Sequence, residues 1–468
     1  MPLILGAQSA VAGGDVVTNS CRFEAGDNTY MHRTQTAGDQ KTWTLSYWVK
    51  RSDITSQQCC VSIEDGSAYV LWKFNTSEFF EWRGETGAAR FITDAKYQDP
   101  TAWFHVVTKC DTTESVEANR FKIWINGTQI TSFGTETYPS LNSDTYVNKS
   151  GGVLRIGTDE VLTSDYSGYL AEVVLTDGTA YDASSFGEFD SDSPTIWKPI
   201  DVSGLSFGTN GFYLDFEDSS DFGSDVSGQG NDLTDVNLAV TNTGTDTPVN
   251  NFATWNPLVP NHTPANNATY SDGNLSSTTT TTGGLGGISS QGSDVSKWYA
   301  EIKLISESTS VASCVGVWKN PWLGQGGNSP HDSYNFYGMR SDGAKFTASV
   351  ITGSWGASYA AGDVMSLALD IDNDRLYIAK NGLWCDGAGA FDQSSPSAYV
   401  TLSSGDEWFF GCGDSEGGGT ADHSANFGNP PYALTSAEAD ENGYGAFEYA
   451  PPTGYLALCT KNLATDGG

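Results

Sequence analysis

The chain has 468 residues, with 57 acidic against 23 basic side chains and a formal net charge of −34. That sign is wrong for wrapping nucleic acid or lying on an anionic membrane surface. Only 17% of residues are charged, 12% are aromatic and glycine numbers 53, a mix that predicts an all-β protein of two or three domains.

No apolar run approaches the roughly 20 residues needed to cross a bilayer. The opening MPLILGAQSAVAGG has no basic residue ahead of its short apolar stretch, so neither membrane insertion nor Sec export is expected. In chain order, period-two segments predict strands at 43–49, 103–108, 121–125, 153–156, 169–175 and 212–216. Asn126-Gly127 marks a tight hairpin, and 180–189 reads as a short helix. An acidic, glycine-rich tract at 218–246 and a proline- and asparagine-rich one at 250–264 interrupt the strand signals. They place a boundary between domains 1–250 and 251–468. Beyond it, the low-complexity tract 276–287 reads as an early strand in preference to a flexible linker. Further strands are predicted at 298–304, 364–369, 375–379 and 408–411, with a second hairpin at Asn381-Gly382. Eight cysteines lack any CxxC spacing, and several sit in strand-like apolar runs, so reduced thiols are expected.

The first half resembles the concanavalin A-like, laminin-G-type sandwich. The likeness is carried by WTLSYWVK (43–50), WFHVV (103–107), the strand reaching Asn126-Gly127, and GYLAEV (168–173), over roughly 15–245. The second half is similar to a SPRY domain through KWYAE (297–301), GDV (362–364), LDID (369–372), NFG (426–428) and PPTGY (451–455). The two modules in this order, with the opening segment and the GFYLDF bridge (211–216), resemble fibre-like virion proteins of tailed, particularly marine, bacteriophages. This resemblance implies two antiparallel β-sandwiches and a non-enzymatic fibre or tail-associated adhesin in the virion, assembled in the host cytoplasm. The implied partners are host-surface polysaccharide or receptor and other virion proteins, in a homo-oligomer. A head-decoration protein and a polysaccharide depolymerase built on the first sandwich are the alternatives.

Candidate chemistry is sparse. Gly204-Leu205-Ser206-Phe207-Gly208 matches a nucleophile elbow, but another strand, not a helix, follows it. The nearest paired carboxylates, Glu188 and Asp190, run into Ser193-Pro194 and read as a solvated acidic loop rather than a glycosidase pair. Asp370-Ile371-Asp372-Asn373-Asp374 opens like a calcium loop, yet Arg375 stands where glycine is required, so a hairpin is expected. The loop 225–232 (DVSGQGND) offers Asp225, Asn231 and Asp232 as oxygen ligands. It either cradles calcium, the one cofactor the sequence suggests, or is a turn held by its own side chains. His105, in an apolar strand, reads as a core residue. The remaining functional signal is aromatic: Trp322, Tyr334, Tyr337 and Trp355 fall between SPRY-like strands, where exposed rings would stack on sugars or partners, although each ring taken alone also reads as a core residue.

Overall fold

The computed structural model describes residues 17–66, 68–84, 89–159, 163–259, 268–279, 284–309, 313–319, 335–348, 350–415 and 420–467. The chain divides into two compact units, the first ending at Val249 and the second beginning at Asn250.

In the first unit one sheet runs, in spatial order, Thr128–Gln129, Phe121–Ile125, Phe104–Asp111, Thr42–Arg51, Gly168–Asp177, Ser20–Phe23 and Thr243–Gly244. Phe212–Leu214 also pairs with Gly168–Asp177. The facing sheet runs Phe133–Thr137, Arg90–Lys96, Phe79–Arg83, Tyr69–Phe74, Gln58–Glu64, Val153–Ile156, Tyr30–Thr34 and Thr234–Val236. Alternation explains the sandwich: Trp43, Leu45, Tyr47 and Val49 point into the core, where Trp43 meets Trp72 of the other sheet edge-on at 5.8 Å. Trp48 takes the opposite face. There Trp48, Val107, Trp124, Tyr169 and Val174 form a second apolar layer, covered by Ala183, Phe186, Trp197, Val202 and Phe207. The first sheet is therefore buried on both faces, and the segment that covers it also builds the cleft described below. The expected helix over 180–189 is corrected: Ala183–Ser185 forms one 3-10 turn and Gly187–Phe189 a strand paired to Trp197–Pro199. Its apolar residues are spent on covering a sheet, which needs no helical period.

A bulge between Ala171 and Val174 lets both Leu170 and Val173 face the core, although they lie three positions apart. The inserted residue, Glu172, sits at φ 51° and accepts a 2.6 Å hydrogen bond from the Tyr213 hydroxyl. Burial, with Asp215, Glu217 and Asp201 nearby, pushes its carboxyl up from 4.5 to about 8 against the pull of that hydrogen bond. The folded state therefore binds this proton more tightly than the unfolded chain, so the contribution is present below pH 4.5 and lost as pH rises through about 8. Glu172→Gln, which keeps the acceptor, is expected to gain stability relative to the parent progressively across that window. Urea titrations at several pH values would test this, and a pH-independent difference would contradict it.

The second unit has a ten-stranded sheet centred on Lys297–Glu307, between Val364–Asp370 and Ala421–Asn426. Facing it is a six-stranded sheet in the order Leu285–Ile288, Trp408–Asp414, Ser313–Lys319, Phe336–Arg340, Lys345–Thr347, Val350–Thr352. Pairing is antiparallel except where Trp298-Tyr299 meets Leu456-Ala457 in parallel. Ser276–Thr279 forms an early strand, as expected, and Asp370 ends one arm of a hairpin whose other arm starts at Arg375. Buried Glu301 anchors the chain's late segment, accepting from the Glu448 and Tyr449 amides, Asn426 Nδ2 and the Tyr299 hydroxyl. All eight cysteines are buried thiols.

Candidate functional site

Two hairpins at one end of the doubly covered sheet create the site. In the first, Asn126 and Gly127 adopt φ 47° and 71°, turning Phe121–Ile125 into Thr128–Gln129. Asn126 is fixed to the neighbouring strand: its amide donates to the His105 carbonyl at 2.9 Å, and its Oδ1 accepts from the His105 amide at 2.7 Å. The second hairpin, Gly187–Phe189 with Trp197–Pro199, carries Trp197 inward. A Cβ on Gly127 would lie 2.2 Å from the Trp197 ring, and one on Gly187 would lie 2.6 Å from it. Only glycine at both positions lets the indole slot between the hairpins.

His105 locks that indole. Trp197 Nε1 donates to His105 Nδ1 at 2.9 Å, the imidazole stacks on Trp48 at 4.6 Å, and its Nε2 lies 2.9 Å from Ser46 Oγ. Because Nδ1 accepts, the neutral ring carries its proton on Nε2 and donates to the serine. Burial pushes its pKa down to about 3. The unfolded chain binds this proton from about pH 6.5, the folded one only near 3. Stability should therefore fall as pH drops through that interval. His105→Gln is expected to flatten that acid limb in a melting-temperature series, and an unchanged slope would contradict the assignment.

Between the hairpins and the 3-10 turn lies an open cleft of about 510 Å³. Lys122, Trp124 and Gln129 line it from the first hairpin, Asp182 and Ser184 from the turn, and Glu188 and Phe189 from the second hairpin. Phe189 is 45% exposed and meets Trp197 edge-on at 4.9 Å. A large ring on a rigid strand, beside an amide, a hydroxyl and charged groups, suits a molecule with apolar faces and many hydroxyls. The carboxylates do not form an acid–base pair. Lys198 Nζ lies 3.3 Å from both Glu188 and Asp190, and the Ser193 and Asp192 amides hold the Asp190 carboxyl below its usual range. A glycosidase general acid needs the opposite shift.

Of the four aromatic residues singled out in the second unit, two are described. Trp322 and Tyr334 lie outside the described residues. Tyr337 and Trp355 are each 6% exposed and belong to the main core, Tyr337 edge-on to Trp408 at 5.1 Å. Their exposure is corrected: short polar neighbours made the segments read as loops, but the rings turn inward.

The loop with Asp225, Asn231 and Asp232 satisfies itself. Asp225 Oδ1 accepts from the Tyr213 and Ser227 amides and its Oδ2 from the Asn231 amide, while Asp232 Oδ1 accepts from the Asp225 amide. The charge balance comes from Arg33, which donates to Asn231 Oδ1 at 2.5 Å and is drawn to Asp225 and Asp232. These residues do not fit a calcium ion, since a guanidinium already faces the carboxylates. No group of three or more His, Cys, Asp or Glu among the described residues is placed to hold a metal. Calcium is expected to leave the melting temperature unchanged, and a saturable rise would contradict this.

Residues 24–183 match the family model of the concanavalin A-like lectin/glucanases superfamily. The matched stretch contributes Lys122, Trp124, Gln129 and Asp182 to the cleft, and the hairpin bearing Phe189 lies beyond it. Among solved structures, a putative carbohydrate binding protein from Bacteroides ovatus is similar at 12% identity and TM-score 0.31, over 47% of this chain and 60% of that one. Mouse laminin alpha1 chain domains LG4-5 are similar at 10% identity and TM-score 0.28, over 89% of this chain and 99% of that one. The SPRY domain of human HERC1 is similar at 16% identity and TM-score 0.25, over 34% of this chain and 91% of that one. A search of the curated proteins gives no match.

Proposed function

We propose that this chain is a non-catalytic glycan-binding protein, a fibre or tail-associated adhesin of a tailed-phage virion, whose first unit grips host-surface saccharide in the cleft between the two hairpins. The observation that carries the binding role is the cleft itself, in which Phe189 stands exposed beside Trp124, Gln129 and Ser184. The lectin-type family match over most of this unit supports the same reading. The virion setting rests on the sequence resemblance. The non-catalytic role rests on Lys198, which ties up the nearest carboxylates.

A glycan array followed by calorimetry tests the binding. Phe189→Ala should weaken affinity about tenfold or more, as loss of an aromatic hot spot does, with little change in melting temperature. Binding that is indifferent to Phe189→Ala and to Gln129→Ala would place recognition elsewhere. The protein should release no reducing ends or unsaturated sugars from host envelope polysaccharide.

A further inference from the structure

The charged groups around the cleft are not evenly spent. Lys122 and Lys109 face each other on adjacent strands, in register, on the outer surface of the sheet. Two ammonium groups so placed repel one another unless each finds a counter-charge. Lys109 has one, Asp182 at 2.8 Å. The Lys122 ammonium has no ion pair or hydrogen bond among the described residues, although the residue lines the cleft. In a chain with 57 acidic and 23 basic residues, an ammonium left without a carboxylate is the less expected outcome. Across the cleft the balance reverses, because Lys198 is shared by Glu188 and Asp190. One wall therefore carries a surplus positive charge beside Trp124 and Gln129, and the facing wall carries surplus carboxylate oxygen beside Phe189. Charge on the rest of the chain is screened beyond roughly 8 Å at physiological salt, so the nearest groups decide what enters.

We infer that, if the cleft binds glycans as proposed above, it selects those bearing an acidic group, a uronate carboxylate or a sulfate ester, with Lys122 as its counter-ion. The anion sits against the wall of Lys122 and Gln129, and neutral hydroxyls of the same or the next residue donate to Glu188 on the other wall. A purely neutral glycan would leave the ammonium without a counter-charge. A glycan with acidic groups on both edges would press charge against Glu188. The preferred ligand thus presents its acid on one edge and free hydroxyls on the other.

The test uses two pairs of probes that share a backbone: oligogalacturonate with its carboxyl-reduced form, and a carrageenan oligosaccharide bearing one sulfate per disaccharide with its desulfated form. The intact chain is titrated with each by calorimetry. At least one acidic member should bind about tenfold tighter than its neutral partner, and the two arms distinguish carboxylate from sulfate. Lys122→Met should abolish that preference and Lys122→Arg should retain it, with melting temperatures confirming that both variants fold. Equal binding of neutral and acidic partners, or an acidic preference that survives Lys122→Met, overturns the inference and leaves the glycan reading intact. If none of the four binds while neutral glycans on the array do, the inference fails alone. A blank array removes both.

Discussion

Trp355→Ala is expected to destabilise the second unit by about 3–5 kcal/mol, the usual cost of removing a buried tryptophan. The ring is 6% exposed within the main core, and Lys345 Nζ lies 5.5 Å above it. Its backbone is also held, since the Trp355 amide donates to the Gly343 carbonyl at 3.1 Å and the Trp355 carbonyl accepts from the Gly389 amide at 3.2 Å. Truncation opens a hole that this pinned backbone cannot close. Trp298→Ala, at 1% exposure with Nε1 donating to the Val295 carbonyl, serves as the reference and should cost a similar amount. Urea unfolding followed by tryptophan fluorescence checks both. A Trp355→Ala chain as stable as the parent would return that ring to the surface.

Asp246→Ala should be comparably costly to the first unit, at about 3–5 kcal/mol, because it removes one partner of a buried ion pair. Asp246 Oδ2 lies 2.6 Å from Lys50 Nζ, with both side chains essentially inaccessible, and Oδ1 accepts from Trp103 Nε1 at 2.8 Å. Lys50 also lies 5.6 Å from the Tyr169 ring centroid. The pair joins the long core strand Thr42–Arg51 to the segment just before Val249, so the end of the first unit depends on it. Adding Lys50→Met to Asp246→Ala removes the ammonium that faced the carboxylate and should recover part of the loss. Full additivity of the two substitutions would contradict the account.

How much of this was legible in the sequence depends on what each residue's neighbours contribute. The strand over 43–49 could be read because inward Trp43, Leu45, Tyr47 and Val49 alternate with residues of the other face. The hairpins at Asn126-Gly127 and Asn381-Gly382 could be read because positive φ demands those residue types. The Glu188–Asp190 segment drew notice for its acids and does border the cleft, but as partners of Lys198. What escaped was pairing between distant segments. Nothing local in the sequence says that Trp197 needs Gly127 and Gly187 to make room, that Lys109 and not Lys122 takes Asp182, or that Arg33 reaches the 225–232 loop. For the same reason Tyr337 and Trp355 looked like surface rings, since the residues that bury them come from other strands.

The most direct test of the central claim is the crystal structure of the chain with an oligosaccharide identified on the array. Sugar rings should lie between the Asn126-Gly127 hairpin and the Gly187–Phe189 strand, in contact with Phe189 and within hydrogen-bonding reach of Gln129. Sugar bound on the second unit, or elsewhere on the first with this cleft empty at saturation, would contradict the account.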